Sequence, residues 1–207
     1  MKCDRFEDLV ATNALIRPGP LDSGMTDVFI DRKIGRKNVT YAHPDLESVL
    51  ESTYGVIVYQ EQVMRIASVL AGFSLGEADV LRKAVGKKIA SLIKEELGKF
   101  VERAVARGVD KRIAADLSDQ IETFGRYGFN RSHSAAYSLI SYQTAWLKAH
   151  YPAEFMAALL SSVLDNTDSV VKYIGACRDL PRYLPKLEES VEVLPPDVNV
   201  SGWKFTV

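Results

Sequence analysis

From Gly55 onward the apolar positions of this 207-residue chain recur at helical spacing. Tyr59, Val63, Ile66 and Leu70 fall about one turn apart, which predicts a helix closed by Gly72. Ser74 and Glu77 have capping-box spacing for the next helix, whose inward positions are Ala78, Leu81 and Val85. Leu92, Leu97, Phe100, Val101, Ala104 and Val105 define a longer helix ended by Gly108. Asp110 is placed to cap a further one, buried through Ile113, Leu117, Ile121 and Phe124, and broken by Gly125 and Gly128. Ser132 or Ser134 is expected to cap a helix running to about His150. Its expected inner stripe is Tyr137, Ile140, Thr144 and Leu147. Pro152 suits the first turn of a helix through Leu164, and Thr167 caps another to about Leu180.

The two ends lack this regularity. In residues 1–55, Arg17-Pro18-Gly19-Pro20 predicts an extended or turning backbone, because proline fixes φ and restricts its predecessor. Leu21 to Gly24 continues as loop. A short helix is expected over Thr26–Ile34, and Pro44 opens another that ends before Gly55. Beyond residue 180, Pro181, Pro185, Pro195 and Pro196 punctuate the chain. Val191–Leu194 and Trp203–Val207 read as short strands. The expected architecture is mainly α, an irregular multi-helix domain with short strands near the C-terminus. It divides into a loop-rich segment over 1–55, a helical core over 56–180 and a proline-rich tail over 181–207.

Composition adds bounds. Apolar residues make up 47% and charged residues 26%, ordinary for a soluble globular protein. Cys3 and Cys177 form no CxxC pair, and no HxxxH is present, so a zinc site is not expected. Free thiols fit a reducing, cytoplasmic compartment. The N-terminus is charged, and no apolar run reaches the ~20 residues a membrane span needs. The formal net charge of −1 hides a local block: residues 82–112 carry ten basic and four acidic side chains. Such a block is what a polyanion footprint looks like, and also what a solvated helix face looks like.

Candidate chemistry gathers in two places. In Leu81-Arg82-Lys83-Ala84-Val85-Gly86-Lys87-Lys88, Lys87 lies one turn from Lys83. Such a face can grip a triphosphate, arginine acting as a fork and lysine as a point charge. An exposed amphipathic surface fits the same pattern. The second place is Gly125-Arg126-Tyr127-Gly128-Phe129-Asn130-Arg131-Ser132-His133-Ser134-Ala135-Ala136-Tyr137. No Asp or Glu occurs from Thr123 to Ala153. A glycine-aromatic loop entering the positive end of a helix suits a phosphate and a planar base. His133 and Tyr137 are one turn apart, so both can meet one ligand. Phe129 suits stacking and core packing about equally. Arg17, beside Pro-Gly-Pro, is a cation on a rigid loop. Trp146 and Trp203 read as packing residues. The chain has no Asp-x-Asp, no Walker-type loop, no GxSxG and no HExxH. It is equipped to hold a nucleotide and not to activate one.

Several long motifs carry a family resemblance. They are Ala14–Gly24, Tyr54-Gly55-Val56-Ile57-Val58-Tyr59-Gln60-Glu61-Gln62-Val63-Met64, Leu81–Lys88, Tyr127–Tyr137, Tyr142–Phe155 and Leu194–Asn199. In order and over nearly the whole chain, they resemble the fingers domain of the bacterial DNA polymerase III alpha subunit. The resemblance implies a mostly helical module that closes over an incoming deoxynucleoside triphosphate. It implies that Arg82 and Lys83 face the triphosphate and that His133 and Tyr137 border its base and sugar; Lys87, Phe129, Asn130 and Arg131 join them as nucleotide-binding candidates from the residue types themselves. Lys83 departs from the arginine usual in the family; it keeps the charge and loses the fork. Arg131 stands where lysine is usual. Arg17, Lys88 and Arg126 are expected to contact DNA or the palm domain. The resemblance implies no catalytic or metal-binding residue in this chain. Magnesium belongs to palm aspartates that this sequence lacks. Implied partners are primer-template DNA, the palm and other domains of the alpha subunit, and the sliding clamp and replisome subunits through the full-length protein. A non-catalytic helical nucleic-acid-binding protein of the same fold is the alternative.

Overall fold

A computed structural model describes residues 1–207 apart from 88, 126, 185, 186, 188 and 189. The apolar periodicity folds as helices: α1 Phe6–Leu15, α2 Pro18–Asp22, α3 Met25–Lys33, α4 Glu47–Leu50, α5 Gln60–Ala71, α6 Leu75–Lys87, α7 Ala90–Ala106, α8 Lys111–Phe124, α9 Arg131–His150, α10 Pro152–Ser162 and α11 Thr167–Tyr183. Two 3-10 turns, Pro44–Leu46 and Glu51–Thr53, flank α4. The protein is mainly α. The described residues form two units, Met1–Ser138 and Leu139–Val207. No described helix is long and apolar enough to cross a membrane.

The first unit has two hydrophobic cores. The larger one gathers Val63, Ile66, Leu70, Leu81, Phe100, Leu117 and Ile121 from α5 to α8, with Leu46 from the turn before α4. Asp110 caps α8 by accepting from the Arg112 and Ile113 amides. Gly72 closes α5 at φ 66°, in the left-handed region that favours glycine. Ser74 and Glu77 form the expected reciprocal cap of α6. Glu77 also takes Arg103 of α7 at 2.8 Å. Arg103 and the Ser74 groups hold the Glu77 carboxyl down to about 2, against an ordinary 4.5. A depressed carboxyl contributes stability that is full above its unfolded pKa and lost as pH falls through the folded one. The stability gap between the wild type and Glu77→Gln is therefore expected to shrink between pH 4.5 and about 2. Denaturant midpoints at pH 7 and pH 3 read it directly, and an undiminished gap at the lower pH contradicts it.

The smaller core packs α1 and α3 against the extended residues Val56, Val58 and Tyr59. Phe129 and Ala135 lie against it. Lys33 of α3 reaches the buried carboxylate of Asp8 in α1 at 3.0 Å and Asp4 at 2.7 Å. Asn13 of α1 donates to Ser138 Oγ at 2.8 Å and thereby fixes the first half of α9. In the second unit, Met156 and Leu160 of α10 pack on Cys177 and Leu180 of α11. Asn166, not Thr167, caps α11 by accepting from the Ser169 amide.

The structure departs from the sequence reading elsewhere as well. Residues 6–22 hold α1 and α2 where irregular chain was expected. Helix α1 buries Ala11 and Ala14 beside Val10 and Leu15, so its apolar stripe is mostly small residues and gives a weak periodic signal. Pro18 and Pro20 both sit in the first turn of α2, where backbone N–H groups have no helical acceptor and a proline loses nothing. Helix α9 begins at Arg131, so Ser132 and Ser134 lie inside it and do not cap it. The expected inner stripe of α9 is exposed: Tyr137 56%, Ile140 55%, Leu147 44%, with Thr144 exposed as well. Segments 191–194 and 203–207 form no strand. A lone hairpin is marginal in water, and Val191, Val193 and Phe205 pack instead on the α10–α11 core. Trp146 and Trp203, expected to pack, are 43% and 84% exposed.

Candidate nucleotide site

The start of α5 is the pivot of this region. Gln62 is buried, and its Oε1 accepts from the Val58 amide at 2.8 Å and the Tyr59 amide at 2.9 Å. Its Nε2 donates to Thr53 Oγ1 at 2.7 Å and to the Val49 carbonyl at 3.3 Å. One side chain thus ties the extended run 56–59 to the turn around α4. Tyr59 in turn forms an isolated parallel bridge with Phe129. The Gln60 amide donates to the Phe129 carbonyl at 3.0 Å. The loop that precedes α9 is therefore seated on the N-terminus of α5, some 70 residues away in sequence.

Two further segments arrive at the same loop. Arg17 Nη1 donates to the Tyr127 carbonyl at 3.4 Å, and the guanidinium stands 4.9 Å from the Phe129 ring centroid. Gly19 abuts Tyr127 so closely that a Cβ there would lie 1.9 Å from the ring Cδ1. Gly128 crosses over Phe124, with 2.6 Å to its Cε1 for the same imaginary Cβ. From α6, Arg82 extends Nη1 to Gln60 Oε1 at 3.4 Å. Its Nε and Nη2 both bond Asp79 Oδ1, at 2.9 and 2.7 Å, while Lys83 Nζ takes Asp79 Oδ2 at 2.6 Å. Asp79 is held below the usual carboxylate range by Lys83 first and then Arg82.

The N-terminus of α9 is already engaged. Glu61 accepts from the Arg131 amide with both oxygens, at 3.1 and 3.0 Å, and from Asn130 Nδ2 at 2.8 Å. Asn130 Oδ1 accepts from the His133 amide at 2.7 Å. The positive helix end, expected to suit a phosphate, carries a carboxylate of the chain itself. The Arg131 guanidinium lies 5.6 Å from the Tyr59 ring centroid. Burial pushes the Tyr59 phenol up to about 12, so it stays neutral in ordinary buffers. Three rings run from the preceding turn onto α9: Phe129 to His133 at 5.5 Å edge-on, and His133 to Tyr137 at 4.5 Å.

Arg17, Arg82, Phe129, Asn130, Arg131, His133 and Tyr137 thus belong to one connected neighbourhood. Lys83 joins it through Asp79. Lys87 is exposed on the last turn of α6 and makes no ion pair among the described residues. Lys88 and Arg126 lie outside the described residues. The sequence reading passed over Gln60, Glu61, Gln62 and Asp79. A signal for three of them was present: Gln-Glu-Gln is an unbroken polar run at the head of an otherwise amphipathic helix. Asp79 precedes Arg82 and Lys83 by three and four positions, the spacing of helical ion pairs.

Gly19 offers a direct check of this convergence. Gly19→Ala is expected to force the Tyr127 ring off its seat and cost about 1–2 kcal/mol. In a Tyr127→Ala background the same change should cost little. A double-mutant cycle by urea unfolding measures the coupling, and additive effects would mean the two segments do not touch.

Residues 1–108 match the family model described as the bacterial DNA polymerase III alpha subunit finger domain. The whole chain is 51% identical over 212 residues to the DNA polymerase III subunit alpha of Pseudomonas aeruginosa. It is 50% identical over 209 residues to that of Vibrio cholerae and 49% identical over 209 residues to that of Escherichia coli, each covering 99% of this chain. In each case the chain spans 17% of the relative's length. With its amino-terminal half matched to that model, this chain belongs to the bacterial DNA polymerase III alpha subunit finger domain family.

Proposed function

We propose that this chain receives and aligns the incoming deoxynucleoside triphosphate, and the template-primer beside it, in a replicative DNA polymerase of the bacterial cytoplasm. The observation that carries this reading is the hydrogen bond from Arg82 to Gln60, which joins the cationic face of α6 to the ring ladder of α9. A triphosphate needs cations and a base needs flat apolar faces, and here the two lie on opposite sides of one residue. Arg82, Lys83 and Lys87 serve the phosphates, and Phe129, His133 and Tyr137 serve the base and sugar. Asn130 and Arg131 hold the turn between them. Positioning and electrostatic stabilisation are the terms a protein contributes to phosphoryl transfer.

Magnesium does not fit the residues present. The two carboxylates of this neighbourhood, Asp79 and Glu61, already turn their oxygens to Arg82, Lys83, Asn130 and Arg131. The metal-assisted step belongs to a palm domain in the longer polymerase, and contacts with a sliding clamp and other replisome subunits belong to the full-length protein. The exposed apolar residues Ile140, Trp146, Leu147 and Tyr151 suit burial against such neighbouring domains.

The purified 207-residue chain is expected to bind a deoxynucleoside triphosphate in preference to an oligonucleotide at moderate salt, and to extend no primer in the presence of magnesium. Titration of both ligands at two salt concentrations, with a primer-extension assay beside it, tests this. Oligonucleotide binding with a steep salt slope and no nucleotide preference would favour a plain nucleic-acid-binding role. Primer extension by the chain alone would overturn the division of labour.

A further inference from the structure

Two carboxylates sit among the cations of this site, and one of them lies where a phosphate would otherwise go. Glu61 occupies the N-terminal amides of α9, the place where helix geometry most favours an anion. Its neighbour Gln60 reaches the other way: its amide holds the Phe129 carbonyl and its side-chain oxygen takes Arg82. We propose that Gln60 and Glu61 form a clasp that sets the register of the ring ladder against the cationic face and closes the α9 end to phosphate. Glu61 is a positioning residue in this arrangement; it acts through α9 and does not touch the nucleotide. This inference rests on the nucleotide-binding reading above.

Register, charge and reach each contribute. Helix α9 follows the turn at Gly128 and Phe129, and its register depends on how that turn is held on α5. Glu61 supplies three of the hydrogen bonds that fix it, and Asn130 turns the same constraint onto the His133 amide. The His133 ring, tilted against Tyr137 at 4.5 Å, is thereby set from α5. A carboxylate at the α9 terminus repels a triphosphate from that end and leaves the phosphates to Arg82, Lys83 and Lys87, so the nucleotide has one orientation and not two. Because Gln60 and Glu61 are adjacent on one helix, a shift of either wall moves the other.

The test uses a full-length alpha subunit carrying this segment, with steady-state kinetics for one incoming nucleotide on a fixed primer-template. Glu61→Ala is expected to raise the nucleotide KM on the order of tenfold, since small misplacements of a substrate-positioning group cost that much or more. The KM for primer-template should stay unchanged. Glu61→Gln keeps an oxygen for the Arg131 amide and should recover the part of the loss that comes from register, while the part that comes from charge stays lost. Arg82→Ala is the companion control. If it raises the nucleotide KM while Glu61→Ala does not, the clasp is overturned and the pocket stands. If neither changes it, the pocket reading falls and the clasp with it. If Glu61→Ala lowers all parameters together and Glu61→Gln rescues nothing, Glu61 holds the fold and the positioning role is overturned. Amide exchange in the 207-residue chain gives a second readout without activity: residues 131–134 should exchange faster by on the order of tenfold in Glu61→Ala and return in Glu61→Gln. Unchanged exchange overturns the clasp.

Discussion

Arg82→Ala in a polymerase carrying this segment is expected to lower kcat/KM for the incoming nucleotide by about 10- to 100-fold, mostly through KM. The magnitude is that of one charge-assisted hydrogen-bonding group, roughly 1.5–3 kcal/mol. Arg82 is half-buried, with its side chain 30% exposed, and Asp79 and Gln60 hold it on two sides. Its loss removes a cation and also frees Gln60 from the α6 side. Arg82→Lys should fall between the two, because an ammonium keeps the charge and cannot bridge two partners as a guanidinium does. Lys83→Ala should cost less. That side chain is 57% exposed and tied to the other oxygen of Asp79, where solvent screens it. Unchanged nucleotide dependence in Arg82→Ala would remove α6 from the site.

The largest effect on stability is expected from Gln62→Leu. The side chain is 4% exposed and makes four hydrogen bonds. Leucine fills similar volume and restores none of them. The Val58 and Tyr59 amides would be left buried without an acceptor, and each such group costs about 1–3 kcal/mol. A total near 3 kcal/mol is expected after relaxation. It would show as a lower urea midpoint with the slope unchanged. Gln62→Glu should recover part of the loss, since a carboxylate still accepts from both amides. A Gln62→Leu protein as stable as the wild type would mean that the 56–59 run is not anchored as described.

Most of the helical core was legible because its signals are local. The Val63-Ile66-Leu70 spacing, the Ser74–Glu77 cap and the Asp110 cap each lie within a few residues, and each predicts an element that forms. Helix α9 was misread for a non-local reason. Its stripe from Tyr137 to Leu147 has the period of a buried face, yet period alone does not say whether the covering surface lies within the same chain. The candidate residues of the site could be named from the motifs, but not their connections. Arg17 and Tyr127 lie 110 positions apart and meet through a carbonyl, and no pattern along the chain encodes such a bond. Nor did the sequence reveal that Glu61 would fill the helix end that seemed open to phosphate. An acidic residue in the first turn of α5 reads as a dipole partner for α5. Its true partners, Asn130 and Arg131, are set by the fold.

We propose that the loop and first turns of α9 form one wall of the nucleotide site. Photocrosslinking tests it most directly. A polymerase carrying this segment would be irradiated with an azidopurine deoxynucleoside triphosphate on a primer-template, and labelled peptides located by mass spectrometry. Labelling is expected within residues 125–137, competed by unmodified nucleotide and reduced by Arg82→Ala. Competed labelling of this segment that avoids 125–137 would contradict it.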